Sequence, residues 1–79
     1  MSAQPEQTEI RLLVDKKYLE KLQKRLGTTK ATDLTRAALT MLDWASVEAE
    51  HGRLVLSSDQ DGSDVRQLAM PELSRVEVV

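Results

Sequence analysis

The chain has no cysteine, one histidine (His51) and two aromatic residues (Tyr18 and Trp44) among its 79 positions. The lack of cysteine excludes disulfides and a cysteine-based zinc site, and a single histidine excludes a multi-histidine metal site within one chain. A chain this short buries only a modest fraction of its surface and usually needs a further stabiliser. Association with a second chain is the stabiliser that remains.

Long apolar runs are also absent. The longest extend over two to four residues, far short of the roughly 20 that a membrane-spanning helix requires. Residues 1–7 have neither a basic start nor an apolar stretch, so we expect no signal peptide. These features predict a cytoplasmic protein.

The net charge of −2 argues mildly against nucleic acid as a partner, but the charge is unevenly distributed. Residues 1–30 contain seven basic and four acidic side chains, giving +3, whereas residues 31–79 contain four basic and nine acidic side chains, giving −5. Such a division is compatible with a basic binding face joined to an acidic tail, but charge alone favours a solvated helix followed by an acidic loop.

The first half of the chain shows the pattern of a strand followed by two helices. Residues 1–7 are polar and predict a flexible arm. In residues 8–14, Ile10, Leu12 and Val14 alternate with other side chains, which predicts a half-buried strand. Asp15 is a suitable N-cap for a helix from Lys16 to Leu26. Gly27 provides the positive φ that commonly follows a helix end.

A second, longer helix is predicted from Lys30 to about Glu50. Either Thr28 or Thr29 could cap its start through a hydroxyl group. One stripe of this helix is apolar and comprises Leu34, Ala38, Met41, Leu42 and Ala45. His51-Gly52 ends it.

The acidic extension 51–79 follows a different pattern. Residues 53–56 and 65–70 are β-prone and flank a turn around Asp61-Gly62, which predicts either a hairpin or a loose, partly disordered tail. Pro71 ends the second stretch, and residues 72–79 are predicted to be frayed.

An isolated strand leaves its N–H and C=O groups without partners. Residues 1–30 offer no second strand, so we expect residues 8–14 to pair antiparallel with the same residues of another copy. Ile10, Leu12 and Val14 would then form a dimer core with the stripe of the second helix. The prediction is a mainly α homodimer with one short strand per chain.

The order of these elements resembles the ribbon-helix-helix (Arc/MetJ/CopG-like) family. The resemblance covers residues 8–50 and rests on Ile10-Arg11-Leu12-Leu13-Val14-Asp15 and on the segment from Gly27 to Leu39, with its Gly turn, hydroxyl residues and helix start. It implies an intertwined dimer whose paired strands enter the major groove of double-stranded DNA. An antitoxin-type repressor is one form of such a regulator.

The resemblance also assigns roles to individual residues. Glu9, Arg11 and Leu13 would contact base edges, and a guanidinium such as that of Arg11 can bond guanine O6 and N7 together. Phosphate contacts would come from the start of the second helix and from nearby lysines, namely Thr28, Thr29, Lys30, Ala31, Lys16 and Lys17.

Two features oppose DNA binding. A carboxylate at position 9 is repelled by phosphates unless it accepts from cytosine N4 or pairs with Arg11, and Leu13 cannot form hydrogen bonds. The alternative is a dimerisation or adaptor module of the same fold, in which the paired strands and residues 53–70 form a protein-binding or tetramerising surface. In the regulator, residues 51–79 could order on a protein partner such as a toxin.

We expect neither catalysis nor a cofactor. Asp59-Gln60-Asp61-Gly62-Ser63-Asp64 resembles the start of a calcium loop, but the glycine comes too early and position twelve would be Met70. No base is available to activate a serine there. An acidic turn is the simpler interpretation.

Overall fold

The computed structural model describes residues 6–79, so most of the predicted arm 1–7 lies outside it. The elements follow in the order α1 (Lys16–Leu26), α2 (Ala31–Glu50), β1 (Leu56–Ser57), β2 (Arg66–Gln67) and α3 (Pro71–Ser74). The prediction of a mainly α chain is confirmed, and a small antiparallel sheet accompanies the helices. Within residues 6–79, none of the helices has the length and apolar character needed to cross a membrane.

The two long helices begin differently. Asp15 caps α1 as predicted, because its Oδ2 accepts a hydrogen bond from the N–H of Tyr18 at 3.3 Å. The predicted hydroxyl cap of α2 is wrong: its N-cap is Lys30, and no side chain caps it. Thr28 and Thr29 come before that position, where a hydroxyl cannot reach the amides of the first turn as an N-cap does.

Both helices end in the same type of backbone motif. Gly27 has φ of 68°, and the N–H of Thr28 donates to the carbonyl of Gln23 at 3.1 Å. Gly52 has φ of 71°, and the N–H of Arg53 donates to the carbonyl of Glu48 at 2.9 Å. These six-to-one bonds define Schellman motifs, which satisfy carbonyls that a helix end leaves open.

The end of α2 has two further contacts. Nε of Arg53 lies 2.9 Å from Oε2 of Glu48, so one residue pair is joined by both backbone and side chain. Nδ1 of His51 donates to the carbonyl of Val47 at 2.8 Å. The side chains therefore reinforce the position at which the chain leaves α2.

Of the two predictions for the acidic extension, the hairpin is the one observed. Leu56 lies opposite Gln67 and Ser57 opposite Arg66, and the N–H of Leu68 donates to the carbonyl of Val55 at 2.8 Å. The strands are shorter than predicted because the connecting turn extends to Asp64, which has a left-handed φ of 50°.

The prediction of a frayed segment at 72–79 is wrong. Pro71 starts the short helix α3 rather than only ending a strand, since proline is well suited to the first position of a helix. Farther along, the N–H of Val79 donates to the carbonyl of Glu50 at 2.8 Å. The chain thus returns to the end of α2.

Helix α3 packs against α2. Ala45 of α2 is 2% exposed and is the one fully buried apolar residue among those described. A cavity of about 270 Å³ lies beside it, bordered by the hairpin, α3 and the C-terminal residues. We call residues 45–79, from the buried alanine onward, the closed unit.

Residues 6–15 belong to no helix or strand in the single chain. Among the described residues, none forms a backbone hydrogen bond with residues 6–14. The strand predicted at 8–14 requires pairing with a second copy, so it stays a prediction.

Replacing Gly27 with alanine tests the end of α1. Nothing in the surrounding structure lies within 4 Å of the position that a Cβ would take. Any loss of stability would therefore come from the backbone strain of φ at 68° and not from a steric clash. We expect the free energy of unfolding to fall by about 1 kcal/mol, measured by urea denaturation. Gly27→Asn is the control and should lose less, because asparagine tolerates the left-handed conformation. An unchanged stability in Gly27→Ala would contradict the assignment.

Candidate nucleic-acid interface

The residues predicted to contact DNA bases lie before α1, in residues 6–14, which we call the open segment. Nη2 of Arg11 is 3.9 Å from Oε2 of Glu9, and both side chains are largely exposed. Pairing with Arg11 is one of the two ways in which a carboxylate at position 9 could be accommodated near DNA phosphates. The other is to accept a hydrogen bond from cytosine N4. Leu13 is fully exposed at 101%. All three side chains are accessible to a partner.

The predicted core residues of the same segment are open as well. Ile10 is 70% exposed, Leu12 73% and Val14 42%. Exposing apolar side chains costs free energy in proportion to their area, so a segment with this composition favours burial against another surface. The described part of the same chain does not cover them.

Two of the predicted phosphate contacts lie at the start of α1. Lys16 and Lys17 are the first two helical residues and are exposed. The first turn contains no acidic side chain. The two ammonium groups therefore add to the partial positive charge of the helix N-terminus, directly after the open segment.

The remaining phosphate contacts lie at the start of α2. Lys30 and Ala31 are exposed, and the carbonyl of Thr29 accepts from the side chain of Gln23 at 3.1 Å. Since no side chain caps α2, amides of its first turn are accessible to an anion. Asp33 in the same turn disfavours anion binding there, because its negative charge repels an anion.

The stripe predicted as dimer core on α2 divides into two parts. Met41 is 59% exposed and Leu42 37%, whereas Ala45 is buried within its own chain by the closed unit. Ala38 is exposed and Leu34 partly buried. The part of the stripe available to a second chain is thus the part that precedes Ala45.

Sequence patterns missed part of the apolar surface. Leu39 lies outside the predicted stripe of α2. It is 52% exposed and lines the same groove as Leu73 of α3. The signal was present in Pro71-Glu72-Leu73, where a proline at a helix start precedes an apolar residue. Four residues are too short a helix for periodicity to reveal.

The acidic turn of the hairpin is held by side-chain hydrogen bonds. Oδ1 of Asp61 accepts from the hydroxyl of Ser63 at 2.6 Å and from its N–H at 3.0 Å. These two bonds, the hydroxyl bond first, lower the pKa of Asp61 below its ordinary value of 3.8. Among residues 6–79, no three side chains of His, Asp or Glu converge on a position for a metal ion.

The lowered pKa predicts how the turn responds to acid. A depressed carboxyl pKa stabilises the folded turn above pH 3.8, and this contribution is lost as the pH falls below that value. The amide resonance of Ser63 should therefore keep its shift down to about pH 4 and change only below it. Asp61→Asn retains an acceptor without the charge, and its Ser63 resonance should lose the part of the change that Asp61 causes, while the contact with Asp59 remains. A midpoint above 3.8 for the native chain would contradict the prediction.

No family model, curated protein or solved structure matches this chain.

Proposed function

We propose that the protein is a cytoplasmic homodimeric regulator that binds double-stranded DNA through residues 8–14 paired between two copies. The observation that carries this proposal is the open segment itself. Its backbone forms no hydrogen bonds with the described chain, and its apolar and polar side chains alternate except at Leu13. Pairing with a second copy would satisfy the backbone groups and separate the two kinds of side chain onto opposite faces.

The dimensions of the chain support association. Its accessible surface is 7816 Å², whereas a compact monomer of this mass exposes about 4,800 Å². Its radius of gyration is 16.2 Å, against about 12 Å for a compact chain of the same length. The difference is large enough for an obligate dimer interface, which commonly buries 2,000 Å² or more.

The distribution of charge supports DNA as the partner. Arg11, Lys16 and Lys17 follow one another around the open segment and the start of α1, and a dimer doubles their number. With about six phosphate contacts, the logarithm of the association constant should fall against log salt with a slope near −5. The acidic residues of the closed unit lie mostly in the hairpin turn and α3, away in sequence from these groups.

Specific observations favour the adaptor as a second candidate. Glu9 lies within ion-pair reach of Arg11 and reduces its charge, while Asp33 occupies the first turn of α2. In that function the paired segments would contact a protein instead of a base edge. Leu13 would then supply apolar contact area.

DNA titrations separate the two candidates. We expect the chain to bind DNA from its own upstream region more tightly than unrelated DNA at two salt concentrations. Arg11→Ala should weaken binding to the specific DNA by at least about tenfold, because a bidentate contact to guanine contributes about 1–3 kcal/mol. Thr29→Ala should weaken both DNAs by a similar, smaller factor, since phosphate contacts are independent of sequence.

Arg75→Ala is the matched control, since it removes the same charge from the residue after α3. It should leave the preference between the two DNAs unchanged. Equal binding to both DNAs by the native chain, or none at ordinary salt, would overturn the regulator and leave the adaptor.

Dimerisation is tested separately by thermal unfolding. If the folded state requires two chains, the Tm should rise by about 5 °C or more when protein concentration increases a hundredfold. Sedimentation should give the mass of two chains. A monomer mass together with a Tm independent of concentration would overturn the proposal that residues 8–14 of two copies pair.

A further inference from the structure

Helix α1 has an apolar stripe that its own chain leaves largely uncovered. Tyr18, Leu22 and Leu26 follow at four-residue spacing and therefore lie on one side of the helix. Tyr18 and Leu26 are each 60% exposed. The extensive contacts between elements join α2 with α3 and β1 with β2, and α1 takes part in neither.

Cationic side chains border this stripe. Lys21 and Arg25 are three and seven residues after Tyr18, so they lie along one edge of the stripe and are exposed. Lys24 carries the same charge but lies on the opposite side of α1. The helix thus presents an apolar surface with two positive charges along its margin.

A groove with the complementary properties lies between α2 and α3. It has a volume of about 330 Å³ and is lined by Leu39, Leu42, Asp43, Ser46, Glu72 and Leu73. Its three leucines form an apolar floor, and Leu39 at 52% and Leu42 at 37% remain exposed. The carboxylates of Asp43 and Glu72 contribute two negative charges.

These charged groups are not engaged elsewhere in the described chain. The ion pairs among residues 6–79 join Arg11 with Glu9, Arg53 with Glu48 and Arg66 with Asp64. The two acids of the groove and the two cations of α1 take part in none of them.

We propose, resting on the dimer of the proposed function, that α1 of one copy lies in the groove between α2 and α3 of the other copy. Tyr18, Leu22 and Leu26 cover the leucine floor. Lys21 and Arg25 face Asp43 and Glu72. The closed unit is then part of the dimer and contributes α3 to it.

A second copy is the occupant that fits both surfaces. Each chain has one groove and one uncovered α1, so two copies satisfy both through two equivalent contacts. The single chain exposes about 3,000 Å² more than a compact monomer, so it has surface available for such contacts. A basic and apolar helix of another protein would serve one groove but leave α1 uncovered.

Two charge-reversed full-length chains test this arrangement. The first carries Lys21→Glu and Arg25→Glu; the second carries Asp43→Lys and Glu72→Lys. In either chain alone both contacts of the dimer become repulsive, so we expect the dimer dissociation constant by sedimentation to rise at least about tenfold. Mixing the two chains restores attraction at both contacts. The mixture should form a heterodimer with affinity close to that of the native dimer.

Arg25→Glu and Lys24→Glu form a matched pair on adjacent residues of the last turn. Both change the charge by the same amount at the same helix end, but only Arg25 borders the stripe. We expect the dissociation constant to rise severalfold for Arg25→Glu and to stay within about twofold for Lys24→Glu. Equal effects would mean that net charge alone is responsible, which overturns the proposed contact.

The remaining outcomes are distinct. If a native-like dimer forms from each charge-reversed chain alone, the groove contact is overturned and the dimer of the proposed function stands. A third chain carries all four substitutions. If this chain regains the native free energy of unfolding but the mixture of the two charge-reversed chains forms no heterodimer, α1 occupies the groove of its own chain. The contact between copies is then overturned. A native chain that sediments as a monomer would overturn both proposals.

Discussion

The structure depends on a difference in packing between the two halves of the chain. Helix α3 packs against α2, and Ala45 of α2 is buried within its own chain. The open segment and α1 have no comparable support. An eleven-residue helix is marginal in water unless its apolar side packs on something, and in the proposed dimer the second chain provides that surface.

Much of the helical structure could be predicted because its signals are local. The bounds of α1 follow from Asp15 and Gly27, whose effects involve only neighbouring backbone groups. The end of α2 follows from Gly52 in the same way. The predicted start of α2 at Lys30 is one residue earlier than the observed start at Ala31. The two threonines next to the turn suggest a hydroxyl cap that the helix does not use.

The return of residues 71–79 to α2 could not be predicted from periodicity. It depends on a four-residue helix and on one backbone bond between Val79 and Glu50, which are far apart in sequence. Prediction of the candidate site is limited in the same way, because its shape depends on contacts between residues that are not neighbours in sequence. Sequence alternation identifies which side chains of residues 8–14 share a face, but the partner strand that gives the face its shape belongs to a second chain in our proposal.

The dual attachment of Arg53 to Glu48 has a consequence for how the molecule assembles. That residue pair and the Val79–Glu50 bond close the chain around the end of α2 through contacts within one chain. We therefore expect the closed unit to form before the two chains associate. In the proposed dimer, residues 8–44 order only when two chains meet. Refolding would then have two kinetic orders: a fast phase independent of concentration for the closed unit, and a second-order phase for the shared half.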